Sequence, residues 1–410
     1  MTGNPSQSEL AALASGLTTV AVTGTNGKTS TTSMIAAIAR AAGEPEVRVT
    51  TLGMWVGDEQ IADDGSMESF VRTVRRARER GARAMAVEVT SRALAAGFAA
   101  RWPAQIAVFT NLTHDHLDRH GTPERYLAAK AQLFVRLQPA GVAVLNAADP
   151  ASALLAEVVP RAARCAGFLA RTGVEIATDV PIALGVARLA CDERGMRIDL
   201  RASPLASELG GALHLRVLGG FQADNALAAA VAAAAAGYPA DVIRRGLAEF
   251  GGVPGRFEVC SREPLVLLDF AHTPDALLRV LQSARALAVP RAGRLACVFG
   301  CGGERDREKR PRMGEAADCL ADAVWLTTDN PRSEPPAAIA AMVRAGAIGR
   351  AAWHDEPDRR AAIHAALGWA GPRDVVVIAG RGVETHLHLA AGPTPFEDRD
   401  AVREALPRRN

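Results

Sequence analysis

The sequence predicts an α/β protein, with a phosphate-loop domain built on a mostly parallel sheet followed by a smaller Rossmann-like domain. Three observations predict it. Apolar strand-like segments alternate with helical patterns in two successive series; a glycine-rich turn joins the first strand to the first helix; and the breaker Gly251-Gly252-Val253-Pro254-Gly255 separates the two series. The boundary is accordingly set between 1–254 and 255–410.

In the first series, strands are expected at 18–23, 84–89, 106–110 and 142–146, with a helical face formed by Phe70, Val71, Val74 and Ala77 between the first two. The stretch 164–218 changes character, and its short segments 198–201 and 213–218 suggest an antiparallel edge. A long helical pattern then runs from Asn225 to about Ala236. In the second series strands are expected at 265–270, 294–300, 323–328 and 374–379, with helices near 274–287, 311–321, 335–345 and 358–369. Open α/β sheets bind ligands at the carboxyl ends of their strands. Glu88, Asn111, Asp269, Asp329 and Gly380 fall there.

Composition narrows the class. Over 410 residues, 49% apolar and 22% charged content is that of a globular protein rather than a disordered one. A net charge of +2 argues against a nucleic-acid or membrane surface. There is no run of apolar residues long enough to span a bilayer and no basic-then-apolar leader at the N-terminus. Six scattered cysteines without a C-x-x-C pair point to a reduced, cytoplasmic protein with no zinc site.

The run Gly24-Thr25-Asn26-Gly27-Lys28-Thr29-Ser30 carries the clearest chemistry. A glycine turn between strand and helix presents backbone N–H groups and a helix N-terminus to a polyphosphate. The lysine reaches its terminal phosphates and the hydroxyl of Thr29 can sit on Mg²⁺. Standard spacing would put glycine at position 22, which here is Val22, so the loop is a variant. Glu88, closing its strand beside that loop, is suited to holding Mg²⁺. Between Asn111 and His120 lie three histidines and two aspartates, close to the H-x-H-x-D-H pattern of metallo-β-lactamase-type hydrolases; that pattern needs histidine at 119, where this chain has Arg119. By pattern alone Lys130 is one more helix lysine.

Together these blocks resemble the Mur ligase family. The resemblance rests on the loop Gly24 to Ser30, Glu88-Val89-Thr90-Ser91 and the stretch Val108 to Phe134. It continues through Gly255-Arg256-Phe257-Glu258, Asp269 to Pro274, Phe299 to Asp306, Asp329-Asn330-Pro331-Arg332 and Gly380-Arg381-Gly382-Val383-Glu384. It runs from about residue 17 to 405 and is closest to the branch that adds diaminopimelate as the third peptide residue. It implies ATP-dependent amide synthesis through an acyl phosphate, with Lys28 on the phosphates and Thr29 and Glu88 on a first Mg²⁺. His116 and Lys130, the latter carrying CO₂ as a carbamate, would hold a second. Asn225, Arg256 and Asp269 would contact the nucleotide, and Gln222 stands where the family usually has asparagine. Arg305, Asp329, Asn330, Arg332, Gly380 and Glu384 would hold the amino acid; Val383 replaces the usual histidine.

Two departures bear on the acid substrate. Only residues 1–17 precede the first strand, so the UDP-anchoring domain of the family is expected to be absent. The Thr-Thr-Pro segment expected before the 70s helix is replaced near Gly65-Ser66-Met67-Glu68, and Arg92 to Phe98 lacks the expected glutamine and arginine. A small-molecule carboxylate other than a UDP-muramoyl peptide is therefore expected. The alternatives are a folylpolyglutamate- or cyanophycin-type ligase, and a non-catalytic ATP-binding partner of another ligase.

Overall fold

The computed structural model describes residues 6–113, 120–170, 173 and 176–406. It divides into two compact units, one reaching to Gly251 and one from Gly252 onward that also takes in Cys191–Glu193.

The first unit is organised on β1 (Thr18–Thr23), with β2 (Val47–Thr50), β3 (Gly53–Val56), β4 (Glu59–Ala62), β5 (Ala84–Glu88) and β6 (Ile106–Phe109) following in sequence. Next come β7 (Val142–Asn146), β8 (Arg164–Leu169), β9 (Ile182–Asp192), β10 (Gly195–Leu200) and β11 (Ala212–Leu215). They lie in the order β11-β10-β9-β8-β7-β6-β1-β5-β2-β3-β4. The run from β9 to β2 is parallel, and β2, β3 and β4 form an antiparallel edge, as does the β10/β11 pair. β5, β6 and β7 are buried along their whole length, which is why they read as continuous apolar runs.

Register places the functional edge. Val22 pairs with Glu88 on one side and Val108 on the other, and Phe109 pairs with Leu145. The loops leaving β1, β5, β6 and β7 therefore emerge side by side. Beneath the first, the helix Lys28–Ala41 is buried over most of its length. The alanine-rich helix Gln222–Ala235 packs on it, with Ala226 to Ala230 fully buried. Gly246, in the helix Ala240–Glu249, lies so close that a Cβ there would sit 2.5 Å from Ile38 Cα. Small residues on two neighbours thus clamp the helix that begins at the phosphate loop.

The second unit is a six-stranded sheet of β12 (Glu258–Arg262), β13 (Leu265–Asp269), β14 (Leu295–Phe299), β15 (Ala323–Leu326), β16 (Ala352–Asp355) and β17 (Val375–Ala379), in the order β12-β13-β17-β14-β15-β16. All pairs are parallel except β12/β13. Strand order reverses between β17 and β14, the crevice where such sheets take ligands. A hairpin, β18 (His386–Leu389) and β19 (Gly392–Pro395), and a closing helix Asp398–Ala405 follow. That helix is tied in by Arg359, buried and bonded through Nε and Nη2 to both carboxylate oxygens of Asp398 at 2.6 and 2.7 Å. Among the described residues no helix is long and apolar enough to cross a membrane.

Observed strands and helices follow the expected ones to within a few residues. The β2–β4 edge, β8, β9, β12, β16 and the β18/β19 hairpin were not anticipated, and the antiparallel edge expected over 164–218 holds for β10/β11 only, since β8 and β9 join the sheet in parallel. All of these strands are at least partly exposed, so none carries a continuous buried apolar run.

Candidate active site

The loop from β1 is shaped by two glycines. Gly24 has φ +152°, and a Cβ there would fall 1.9 Å from Thr110 Oγ1; Gly27 has φ +84°, and a Cβ would fall 2.2 Å from Asn225 Oδ1. Both positions combine a backbone that L side chains rarely adopt with no room for a side chain. Gly27 opens the helix Lys28–Ala41 without a side-chain cap. The first-turn amides of a helix have no partner within it, so this N-terminus is built to receive an anion. The loop is held from the β6 side. Asn26 N–H donates to Asn111 Oδ1 (2.9 Å), while Asn111 Nδ2 and Thr110 Oγ1 both donate to Asn26 O (3.1 and 2.6 Å). Lys28 Nζ donates to Thr25 O at 2.8 Å, across the mouth of the loop.

Glu88 is 9% exposed, and its Oε2 alone collects three donors: Thr29 Oγ1 (2.9 Å), Thr51 N (3.1 Å) and Thr51 Oγ1 (3.3 Å). Oε1 takes no donor among the described residues. A carboxylate fixed by one oxygen with the other bare, touching the loop threonine, is a suitable cation ligand. Asn225 accepts from Thr31 Oγ1 (3.2 Å) and donates to Gln222 Oε1 (2.7 Å), so the glutamine that departs from the family pattern orients the asparagine beside Gly27.

Lys130, in the helix Pro123–Val135, is 1% exposed. Its Nζ donates to Gly24 O at 2.7 Å and lies 4.3 Å from the Tyr126 ring centre. Tyr126 OH is 3.3 Å from Thr25 Oγ1, and its ring faces that of His120, whose Nε2 is 3.0 Å from Ser91 Oγ. The helix lysine of the sequence is thus brought against the phosphate loop. A carbonyl and an aromatic face suit its ammonium form, and a carbamate would keep one Nζ–H for the Gly24 carbonyl. His116 and the other residues of 114–119 lie outside the described residues. Among the described residues no cluster of three His, Cys, Asp or Glu side chains could hold a metal.

In the second unit, Arg256 lies over the Phe270 ring at 4.3 Å. Asp269 accepts Phe257 N–H and Ala271 N–H on separate oxygens, both at 2.7 Å. Burial pushes its carboxyl up to about 6 against the opposing pull of Arg256.

The reversal point of the second sheet gathers the six residues expected to hold the amino acid. Arg332, with φ +54°, uses only Nη1 among the described residues, donating to Gly303 O (2.7 Å) and Asn330 O (3.2 Å). Arg305 is exposed and makes no hydrogen bond among the described residues. A Cβ on Gly302 would lie 3.4 Å from Arg332 Nη1 and 3.6 Å from Arg305 Cγ, so the two arginines flank one glycine. Asn330, with φ +44°, is fully engaged: Oδ1 accepts from Arg381 Nη1 and His388 N (both 2.9 Å), and Nδ2 donates to Glu384 Oε2 (2.7 Å). Its side chain therefore positions Glu384. A Cβ on Gly380 would sit 2.4 Å from Asp329 Oδ2.

Sequence reasoning missed three residues here. Arg381 is buried and also donates to His386 O (2.9 Å) and Phe396 O (3.3 Å). Arg310, also buried, forks onto both oxygens of Glu334 (3.0 Å each) and donates to Gly302 O (3.1 Å), tying the Arg305 loop to the Arg332 loop. The guanidinium holds the Glu334 carboxyl far down, at about 2. The one available signal was an arginine between two glycines, directly after the apolar β17.

Asp329 is 6% exposed and accepts no hydrogen bond among the described residues. Burial pushes its carboxyl up to about 6, with Arg359 and Arg381 pulling the other way and Glu384 and Asp398 adding to the rise. An unfolded aspartate titrates near ~3.9. The folded state therefore binds this proton more tightly, and the stability it contributes is lost as pH climbs from ~4 through 6. Asp329→Asn, which cannot ionise, is expected to gain about 2 kcal/mol relative to the native chain between pH ~4 and ~7. Urea unfolding at the two pH values measures this; a difference that does not change with pH contradicts it.

Comparison with known proteins gives consistent matches over both units. A family model described as the Mur ligase middle domain matches residues 22–233, and one described as the Mur ligase, glutamate ligase domain matches residues 255–382. The UDP-N-acetylmuramoyl-L-alanyl-D-glutamate–2,6-diaminopimelate ligase of Thermosynechococcus vestitus is 38% identical over 410 aligned residues, which cover 96% of this chain and 77% of that protein. The ligase of the same name from Xylella fastidiosa is 38% identical, covering 98% and 78%. A solved structure of such a ligase matches with a TM-score of 0.65 at 32% identity, covering 95% of this chain and 78% of the other. The Mycobacterium tuberculosis folylpolyglutamate synthase complexed with ADP shares the fold, at TM-score 0.68 and 21% identity over 91% of this chain and 90% of that one.

Proposed function

The chain belongs to the Mur ligase family and is an ATP-dependent carbon–nitrogen ligase; we propose that it joins a diaminopimelate-like amino acid to a small-molecule carboxylate through an acyl phosphate. In this reading residues 1–254 form the nucleotide-binding domain and 255–410 the amino-acid-binding domain. The observation that carries the amine assignment is the pair of arginine side chains, Arg305 and Arg332, flanking Gly302 in the unit where Asn330 steers Glu384. Guanidinium suits a distal carboxylate and Glu384 a distal ammonium.

The phosphate loop fits ATP because Gly24 and Gly27 let its backbone close tightly against Thr110 and Asn225, and a helix N-terminus opens from it. Lys28 would neutralise the terminal phosphates. Thr29 and the bare oxygen of Glu88 fit Mg²⁺, with Lys130 and His116 assigned by family resemblance to a second ion. When bound, the metal offsets polyphosphate charge. The remaining work is positioning. An oxygen of the acid bonds to the γ-phosphorus as the bond to ADP breaks. The amine nitrogen then bonds to the acyl carbon, phosphate leaves with the C–O electron pair, and the nitrogen sheds a proton.

We further assign an acid other than the UDP-muramoyl dipeptide. What supports this is the altered segment before the helix Met67–Glu79, where Ser66 caps the helix and Met67 packs on the core, and the altered stretch Arg92 to Phe98. The test is a mass-spectrometric screen of carboxylates, UDP-muramoyl dipeptide included, against diaminopimelate, lysine, ornithine and glutamate. ATP-dependent condensation with diaminopimelate and a different acid supports the whole reading. Condensation with the UDP-muramoyl dipeptide alone overturns the acid assignment. ADP release without any condensation overturns the ligase reading.

A further inference from the structure

Two loops of the second unit carry both arginines of the amine assignment: 300–308, which leaves β14, and 327–335, which leaves β15. The loops are bonded to each other along their length. Gly303 N–H donates to Asn330 O (3.0 Å), Ser333 N–H donates to Glu304 Oε1 (3.2 Å), and a Cβ on Gly303 would fall 1.9 Å from Pro331 O. Five non-glycine residues among those described have positive φ, and three of them, Glu304, Asn330 and Arg332, sit in these loops. L residues keep such a backbone only where their surroundings impose it.

One buried ion pair supplies that constraint. Arg310, in the first turn of the helix Lys309–Leu320, forks onto both oxygens of Glu334 (3.0 Å each), and its Nη2 also donates to Gly302 O (3.1 Å). Glu334 Oε1 in turn accepts Glu304 N–H (2.5 Å), and Arg307 approaches Oε2 from the surface at 3.4 Å. The fork thus ties the chain at Gly302 and Glu304, just before Arg305, to a residue two places beyond Arg332. Arg310 Nε, however, is buried with no partner among the described residues. A buried pair with an orphaned donor adds little to stability, and apolar side chains of like volume often serve as well. What such side chains cannot supply is the fixed distance and angle of a planar bidentate fork.

We propose that Arg310 and Glu334 are positioning residues that set amine selectivity: without touching the substrate, they hold Arg305 and Arg332 at the spacing that accepts a distal carboxylate. The inference rests on the amine assignment above and extends it to two residues that make no contact with the amine.

The test measures binding of diaminopimelate and of lysine to the full chain by ligand-observed NMR, alongside the thermal midpoint. In the paired variant Arg310→Met/Glu334→Gln neither member of the pair is left charged, and the glutamine keeps an oxygen for Glu304 N–H. In Arg310→Lys the charge stays and the fork is lost. Both variants are expected to fold and to bind diaminopimelate about tenfold more weakly, the worth of one charge-assisted hydrogen bond, with lysine binding unchanged. In an Arg332→Leu background the paired substitution should cost at most about twofold further, because the pair acts through Arg332. A folded paired variant that keeps the native preference for diaminopimelate overturns this proposal alone. So does an equal loss for both amines, or a full further loss of about tenfold in the Arg332→Leu background. Unfolding of both variants would make the pair a stability element and also overturns it. A native chain that does not prefer diaminopimelate to lysine overturns the amine assignment, and this proposal with it.

Discussion

Glu88→Gln is expected to lower ATP-dependent turnover about a thousandfold without unfolding the chain. The amide keeps an oxygen for Thr29 Oγ1, Thr51 N and Thr51 Oγ1, the donors that fix Glu88 at the end of β5. What it removes is the negative charge, and with it the oxygen that takes no donor among the described residues. A site that gathers ATP, a carboxylate and a transferring phosphoryl group is dominated by charge, and losing a preorganised charge there costs several kcal/mol of transition-state stabilisation. Coupled detection of ADP measures turnover, and the thermal midpoint reports the fold. Near-native turnover with an unchanged midpoint would remove Glu88 from the chemistry.

Arg332→Leu is expected to raise the KM for diaminopimelate about a hundredfold while leaving the KM for ATP unchanged. Among the described residues only Nη1 of this guanidinium is engaged, with two carbonyls at 2.7 and 3.2 Å. Its other nitrogens meet no acceptor among the described residues and can pair with a distal carboxylate. Truncating one partner of such a pair costs about 2–5 kcal/mol. Lysine lacks the distal carboxylate, so the variant should lose its preference for diaminopimelate over lysine. Steady-state kinetics with both amines decides this; an equal loss for both amines would mean that Arg332 only supports the loop.

How much of this was legible beforehand depended on whether a residue's role is local. Gly24 and Gly27 announced the phosphate loop because a strand–turn–helix needs glycine at such backbone angles, and that requirement is written within eight residues. Glu88 was legible as a carboxylate closing a buried strand. Asn330 was legible as part of the amino-acid motif, yet its role is indirect, since its side chain is spent on Arg381, His388 and Glu384. Arg310 and Arg381 were not legible, because a long cation in a sequence reads as surface, and only the tertiary structure shows both guanidiniums buried and bonded to loop carbonyls. Tyr126 was invisible for the same reason: its use as a floor for Lys130 depends on a helix crossing to the phosphate loop. The β2–β4 edge escaped because strands of four residues broken by Gly53 and Gly57 leave no periodic signal.

The central claim, that the chain activates a carboxylate by phosphorylation before an amine captures it, is tested most directly by oxygen transfer. The condensing acid is labelled with ¹⁸O in its carboxylate and turned over with ATP, Mg²⁺ and the amine, and the released phosphate is weighed by mass spectrometry. The account predicts one ¹⁸O atom in each phosphate formed. Phosphate free of label, with its new oxygen drawn from water, would contradict it.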